Sequence, residues 1–200
     1  MRFLIAGVLL LFLNASCASG EIAVKITRDD IQGSINNHIE VTAFDGAGLK
    51  AIPVSDNKFT CAHGITSNYY GVLFLTKQGH YPETIIFKAQ DNPVTIDYIS
   101  LSPVKDPQKG ILTGVVYKPV TGGKLREHKG ISRMFKSEKI ILIKGNVSHE
   151  TATNDRGVFL IELLPGNYNV VLNNKNAGSV LIERGATAIH NIQKGTMIID

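Results

Sequence analysis

Apolar and polar residues alternate in short runs along most of the chain, and clusters of turn-forming residues separate the runs. The clearest stretch is 151–172, TATNDRGVFLIELLPGNYNVVL. Asn154-Asp155-Arg156-Gly157 reads as a tight turn, 158–163 as a strand, Leu164-Pro165-Gly166-Asn167 as a second turn and 168–172 as another strand. Pro presets a negative φ and Gly takes a positive one at little cost, so both turns have a chemical basis. Phe159, Ile161, Leu163, Tyr168, Val170 and Leu172 alternate onto one face, as residues filling a sandwich core would. The two strands around the Pro-Gly turn are expected to form a β-hairpin.

The same reading places strands at 21–26, 38–44, 49–54, 59–63, 72–76, 81–89 and 94–101 in the first half. It places others at 112–117, 140–144, 177–183 and 186–192 in the second half. Pro53 favours an edge position for the strand that contains it. Residues 118–123 read as a turn, 124–139 as a loop and 102–110, SPVKDPQKG, as a connector. No segment sustains a 3.6-residue apolar period, so the fold class is all-β.

The halves also resemble each other. Gly71-Val72-Leu73-Phe74-Leu75 precedes Gly79-His80-Tyr81, and Gly157-Val158-Phe159-Leu160-Ile161 precedes Gly166-Asn167-Tyr168. A shared period of about 85 residues predicts two similar sandwiches in tandem. The expected division is a leader at 1–20, a first domain at 21–103, a linker at 104–110 and a second domain at 111–200.

The leader follows from hydropathy. Met1-Arg2 is followed by an unbroken apolar run at 3–13 and a small, mostly polar stretch at 14–20. The run is too short for a membrane-spanning helix, which needs about 20 apolar residues, and matches a secretory signal peptide. Two processing readings stand side by side. One is cleavage after small residues near Ala18 or Gly20. The other is lipidation of Cys17, since Asn14-Ala15-Ser16-Cys17 resembles a bacterial lipobox apart from Asn14, where an aliphatic residue is usual. Cys61 is the other cysteine, so no internal disulfide framework is available and the core must supply stability.

The formal net charge is +4, and it is local. Between Gly122 and Lys139 six basic side chains (Lys124, Arg126, Lys129, Arg133, Lys136 and Lys139) face two acidic ones, Glu127 and Glu138. The remainder is about neutral, which argues against a nucleic-acid surface. Ile131, Met134 and Phe135 are interleaved with the cations, and exposed apolar side chains among them would suit an anionic envelope partner. Lys124, Arg126, Lys129, Arg133 and Lys136 are the candidate residues for such a partner.

Thr113-Gly114-Val115-Val116, Thr121-Gly122-Gly123, Thr153 to Phe159 and Leu164-Pro165-Gly166-Asn167-Tyr168 together resemble the carboxypeptidase regulatory-like domain family. Gly71 to Phe74 and Gly79-His80-Tyr81-Pro82 carry a fainter copy, which lacks the Asn-Asp turn. The resemblance implies a transthyretin-like, prealbumin-like Greek-key β-sandwich. It also implies a non-catalytic accessory, spacer or binding unit, of the kind found attached to enzymes, receptors or envelope proteins. With the leader, this implies an exported protein, periplasmic or held as an outer-membrane lipoprotein, or at the cell surface. Contact with the membrane is expected only through a lipid on Cys17.

No constellation for chemistry assembles. His80-Tyr81-Pro82-Glu83 spells a zinc-protease pair, but Pro82 puts it in a turn with no third ligand or base. Cys61 and His63 could share a strand face, again without a third ligand. No nucleophile elbow or phosphate-binding glycine loop is present. The family's hydrolytic relatives act on 5-hydroxyisourate and end in Tyr-Arg-Gly-Ser, whereas this sequence ends in Gly195 to Asp200 without that motif. No catalytic residue, metal or cofactor is therefore expected. The partner is expected to be an envelope protein, with a glycan stacked on Tyr69 and Tyr70 as the alternative.

Overall fold

The computed structural model describes residues 21–25, 39–54, 58–62, 65–66, 68–88, 94–96, 101–122 and 128–199. The leader with Cys17 lies outside the described residues, as do His63, Lys124 and Arg126. Every regular element among the described residues is a strand.

Among the described residues the strands form three sheets. The smallest runs in the order β4 (Lys58–Ala62), β1 (Glu21–Lys25), β7 (Val94–Ile96). A four-stranded sheet runs β11 (Val147–Ala152), β10 (Lys139–Lys144), β13 (Gly166–Leu172), β14 (Lys175–Ile182). The largest follows the path β12 (Val158–Leu163), β8 (Gly110–Gly122), β9 (His128–Met134), β5 (Tyr70–Thr76), β2 (Glu40–Phe44), β3 (Leu49–Ile52). β6 (Glu83–Lys88) joins it on β5. Three short strands, β15 (Thr187–Ile189), β16 (Ile192–Gln193) and β17 (Met197–Ile199), run parallel to β8. β3 is an edge strand that stops immediately before Pro53, where a missing N–H would break a ladder.

The thirteen-residue β8 organises the large sheet. Its first half lies between antiparallel β12 and parallel β15, and its second half between β9 and β16 with β17. It runs on through 118–122, most of the stretch 118–123 where a turn is expected from sequence, and Gly123 lies outside the described residues. Pro119 is accommodated because the β8–β9 register shifts between Lys118 and Pro119, and again before Thr121. An irregular ladder leaves room for a residue with no donor. The segment expected as a basic loop contains β9, a strand recruited by β8 rather than by its own apolar pattern.

A second correction concerns 151–172. β12 pairs with β8, whereas β13 pairs with β10 and β14, so the two strands belong to different sheets and form an arch, not a hairpin. The predicted core residues explain this. Phe159 and Leu163 from β12 meet Tyr168, Val170 and Leu172 from β13 within one cluster, with Ile161 packed at its margin. Strands that face each other across a core cannot also share a ladder. The corresponding segment of the first half does form a hairpin, β5 with β6.

Among the described residues three apolar clusters hold the layers together. One lies within the first half, around Val41, Phe59, Leu73, Leu75 and Phe87. Another lies within the second half, around Leu112, Val116, Ile140, Leu142 and the arch residues. The third joins Phe44, Val72 and Phe74 from the first half to Val115, Tyr117, Ile131 and Val158 from the second. β5 therefore buries both faces, Leu73 and Leu75 towards one cluster and Val72 and Phe74 towards the other. That explains its continuous apolar run, since a strand covered on both sides has no polar face to alternate with. At the joint, the rings of Phe44 and Tyr117 meet edge to face at 4.9 Å, a favoured aromatic geometry.

Candidate functional site

The basic segment is a ribbon built on β8 and β9, and its geometry begins with the turn that follows it. Residues 135–138 leave β9 for β10, with Ser137 at a positive φ. Buried Thr153 clamps this turn: its hydroxyl donates to the Phe135 carbonyl at 2.7 Å and accepts from the Glu138 N–H at 2.9 Å. The Thr153 backbone adds two further bonds, accepting from Ser137 N–H and donating to the Glu138 carbonyl. Asn154 then shapes the next turn, its side-chain oxygen accepting from the N–H groups of Arg156 and Val158. Gly157 (φ 80°) closes that turn where a Cβ would stand 2.6 Å from Met134 Cβ. The two turns thus lock the end of the ribbon against the arch.

Clamped in this way, Phe135 becomes a platform for charge. Arg133 Cζ lies 5.1 Å from the centre of its ring and Lys194 Nζ lies 4.8 Å from it. Cations over an aromatic face gain about 0.5–1 kcal/mol each at exposed sites. Lys194 Nζ also donates to Glu138 Oε1 at 2.6 Å, and Asn173 Nδ2 donates to Glu138 Oε2 at 2.9 Å. The Lys194 hydrogen bond, with help from Asn173 and the charge of Arg133 and against partial burial, holds the Glu138 carboxyl below its ordinary value. Lys118 stands directly opposite Arg133 across the β8–β9 ladder. Lys136 is exposed three residues after Arg133. Four cations therefore share this corner with one carboxylate.

The sequence-predicted residues fall as follows. Arg133 and Lys136 belong to the corner, and Lys129 lies in β9 near its start. Lys118 and Lys194 were not predicted, because β8 and the β16 region bring them in from distant parts of the chain. Met134 and Phe135 are half-buried rather than exposed: Met134 packs on the shared cluster and Phe135 on the second-half cluster. The ribbon's apolar side chains turn onto the cores, while Arg133 and Lys136 stay exposed.

Tyr69 packs against the first-half cluster and Tyr70 against the shared one, so the pair is divided between two cores and not presented side by side. Tyr70 also pairs with Ile131, where β5 meets β9. The His80 turn bridges to Pro103, and its ring contacts the Gln78 carbonyl. Neighbouring Tyr81 donates its hydroxyl to Glu162 on β12, and that carboxylate pushes the Tyr81 phenol up. The backbone of Cys61 pairs with Ile22 in β4–β1. Among the described residues no group of three His, Cys, Asp or Glu is placed to hold a metal.

No family model matches the chain, and no curated protein sequence matches it. Among solved structures, the Bacillus anthracis TIE protein is similar at 16% identity and a TM-score of 0.29, over 87% of this chain and 33% of that one. The minor pilin GBS52 of Streptococcus agalactiae is similar at 11% identity and a TM-score of 0.27, over 88% of this chain and 96% of that one. A streptococcal ancillary pilin is similar at 11% identity and a TM-score of 0.31, over 88% and 68%. The chain thus spans about a third of the length of the first of these.

Proposed function

We propose that this chain is a non-catalytic, exported module of the cell envelope that binds an acidic protein partner through the β8–β9 ribbon. Two tandem sandwiches of the carboxypeptidase regulatory-like type form its body, each with its own apolar cluster. Its leader directs export, and Cys17 is the residue that would carry a lipid anchor.

One observation carries the reading. Lys118 and Arg133 sit directly opposite each other on paired antiparallel strands, beside Lys194 and Lys136. Like charges in that position destabilise a sheet by several tenths of a kcal/mol, so the pair is a cost to the fold unless a partner uses it. An acidic surface would meet Arg133 and Lys194, held over the Phe135 ring, together with Lys118 and Lys136. Attraction of this kind speeds encounter and weakens as salt rises.

The test is elution from a polyanionic heparin column, used as a probe for the ribbon's charge. Lys118→Gln/Arg133→Gln should elute at clearly lower salt than Lys50→Gln/Lys88→Gln, which removes the same charge elsewhere. Equal elution of the two variants would overturn the proposal. Palmitate incorporation that persists in Cys17→Ser would remove the anchor from it.

A further inference from the structure

The four-stranded sheet β11–β10–β13–β14, a different sheet from that of the ribbon, has an outer face whose make-up follows from its ladders. Ile140, Leu142, Tyr168, Val170, Leu172 and Ile182 point inward and belong to the second-half cluster. Side chains alternate along a strand, so Ile141, Ile143, Val171 and Leu181 point outward. None of these four belongs to any of the three apolar clusters. Ile141 stands directly opposite Val171, and Leu181 opposite Asn167.

β10 and β13 carry unbroken apolar runs, Ile140 to Ile143 and Val170 to Leu172. In an antiparallel sheet with one solvated face, strands alternate apolar with polar residues instead. The edge strand β11 does so, with Ser148 and Glu150 on the outer side, opposite Ile143 and Ile141. β5 departs from alternation because both of its faces are covered within the chain. For β10 and β13 the apolar clusters of the described residues supply only the inner cover, and Leu181 beside them is 54% exposed. The face is also nearly free of charge. Among the described strand residues its outward charges are Lys139 and Glu150, which neutralise each other at 2.8 Å. The polar positions around its apolar centre are the neutral Ser148, Asn167, Asn169 and Ser179.

We propose that this outer face is a self-association surface, on which a second copy of the chain stacks sheet to sheet. Charge and area single out that occupant. A face without net charge meets its own copy without repulsion, whereas two copies joined through the basic ribbon would repel each other. A strongly charged partner would find nothing here to pair with. Four strands about 4.8 Å apart and about 22 Å long present roughly 400 Å² in projection on each copy. Side-chain relief brings two such faces to about 1,000 Å², the threshold of a specific interface and the size of a weak, reversible one. The inference does not depend on the ribbon and can fail without it.

The experiment is sedimentation velocity on the exported chain, carrying Cys17→Ser so that no lipid contributes. Reversible monomer–dimer exchange is expected, with a midpoint between about 10 μM and about 1 mM and little weakening at high salt. Val171→Lys and Leu181→Lys set like charges against each other across the stack, and each should weaken association at least about tenfold. Both positions lie on the outer side of the sheet, so the far-UV circular dichroism of these variants should match the parent. Mixing Val171→Lys with Val171→Glu should restore association, which two misfolded chains would not do. Lys118→Gln/Arg133→Gln should associate as the parent does. A parent chain that stays monomeric throughout, or association that Val171→Lys and Leu181→Lys leave unchanged, would overturn the proposal.

Discussion

Phe74 offers the sharpest test of how the two halves are joined. Its side chain is fully buried, 0% exposed, among Val72, Val115, Tyr117, Ile131 and Val158. Were the halves independent modules connected by a linker, this face of β5 would be solvated, and truncation there would cost no more than about 0.5 kcal/mol. In the cluster described here, Phe74→Ala removes a large aromatic from a packed interior and leaves a cavity. Such substitutions cost about 3–5 kcal/mol. With a urea m-value of about 2 kcal/mol per molar, the midpoint should fall by about 2 M. The assay is equilibrium urea unfolding followed by far-UV circular dichroism and by tyrosine fluorescence, since the chain has six Tyr and no Trp. Both probes should shift together. A midpoint change below about 0.3 M would refute the shared core.

Thr153→Val keeps the shape of a buried side chain but removes both hydroxyl bonds of the clamp, and should cost about 2 kcal/mol in the same unfolding assay. Gly157→Ala places a Cβ at a positive φ and against Met134, and should cost about 2 kcal/mol, read as a lowered melting temperature. Glu138→Gln probes the half-exposed Lys194 contact and should destabilise by about 1 kcal/mol at neutral pH. The Glu138 carboxyl is depressed in the folded state, so its contribution is full above the ordinary carboxylate range. It is lost as pH falls through the depressed value. Unfolding curves of the two proteins should therefore converge in acid and run parallel from mild acid to neutrality.

Local chemistry in the sequence was a reliable guide wherever a structure is decided locally. The Asn154–Gly157 and Pro165–Gly166 turns, the edge position of β3 and the inward set from Phe159 to Leu172 all follow from neighbours within a few residues. Features decided at long range were not legible. The Pro-Gly turn looks the same whether its strands pair or arch, and only the partners β8 and β10 settle which. β9 and β11 carry polar sequences, HKGISRM and VSHETA, and become strands because β8 and β10 offer them a ladder. The unbroken apolar run of β5 is explained by cover on both faces, but that cover comes from distant parts of the chain and was not read from the sequence. The same division holds for the site. Arg133 and Lys136 stand out in the sequence, whereas Lys118, Lys194 and the Phe135 platform join them only through the ladder and the return of the chain along β8.

The account's central claim is that the ribbon keeps its opposed cations for a partner and at some expense to the fold. Stability should therefore be measured on Lys118→Gln, which keeps the Arg133 contact with the Phe135 ring, and polyanion binding on Lys118→Gln/Arg133→Gln. The account predicts an unfolding free energy of Lys118→Gln unchanged or raised by several tenths of a kcal/mol, as repulsion across the ladder is relieved, and heparin retention of the double variant sharply reduced relative to Lys50→Gln/Lys88→Gln. A Lys118→Gln protein that loses stability, or a double variant that binds as well as its charge-matched control, would contradict it.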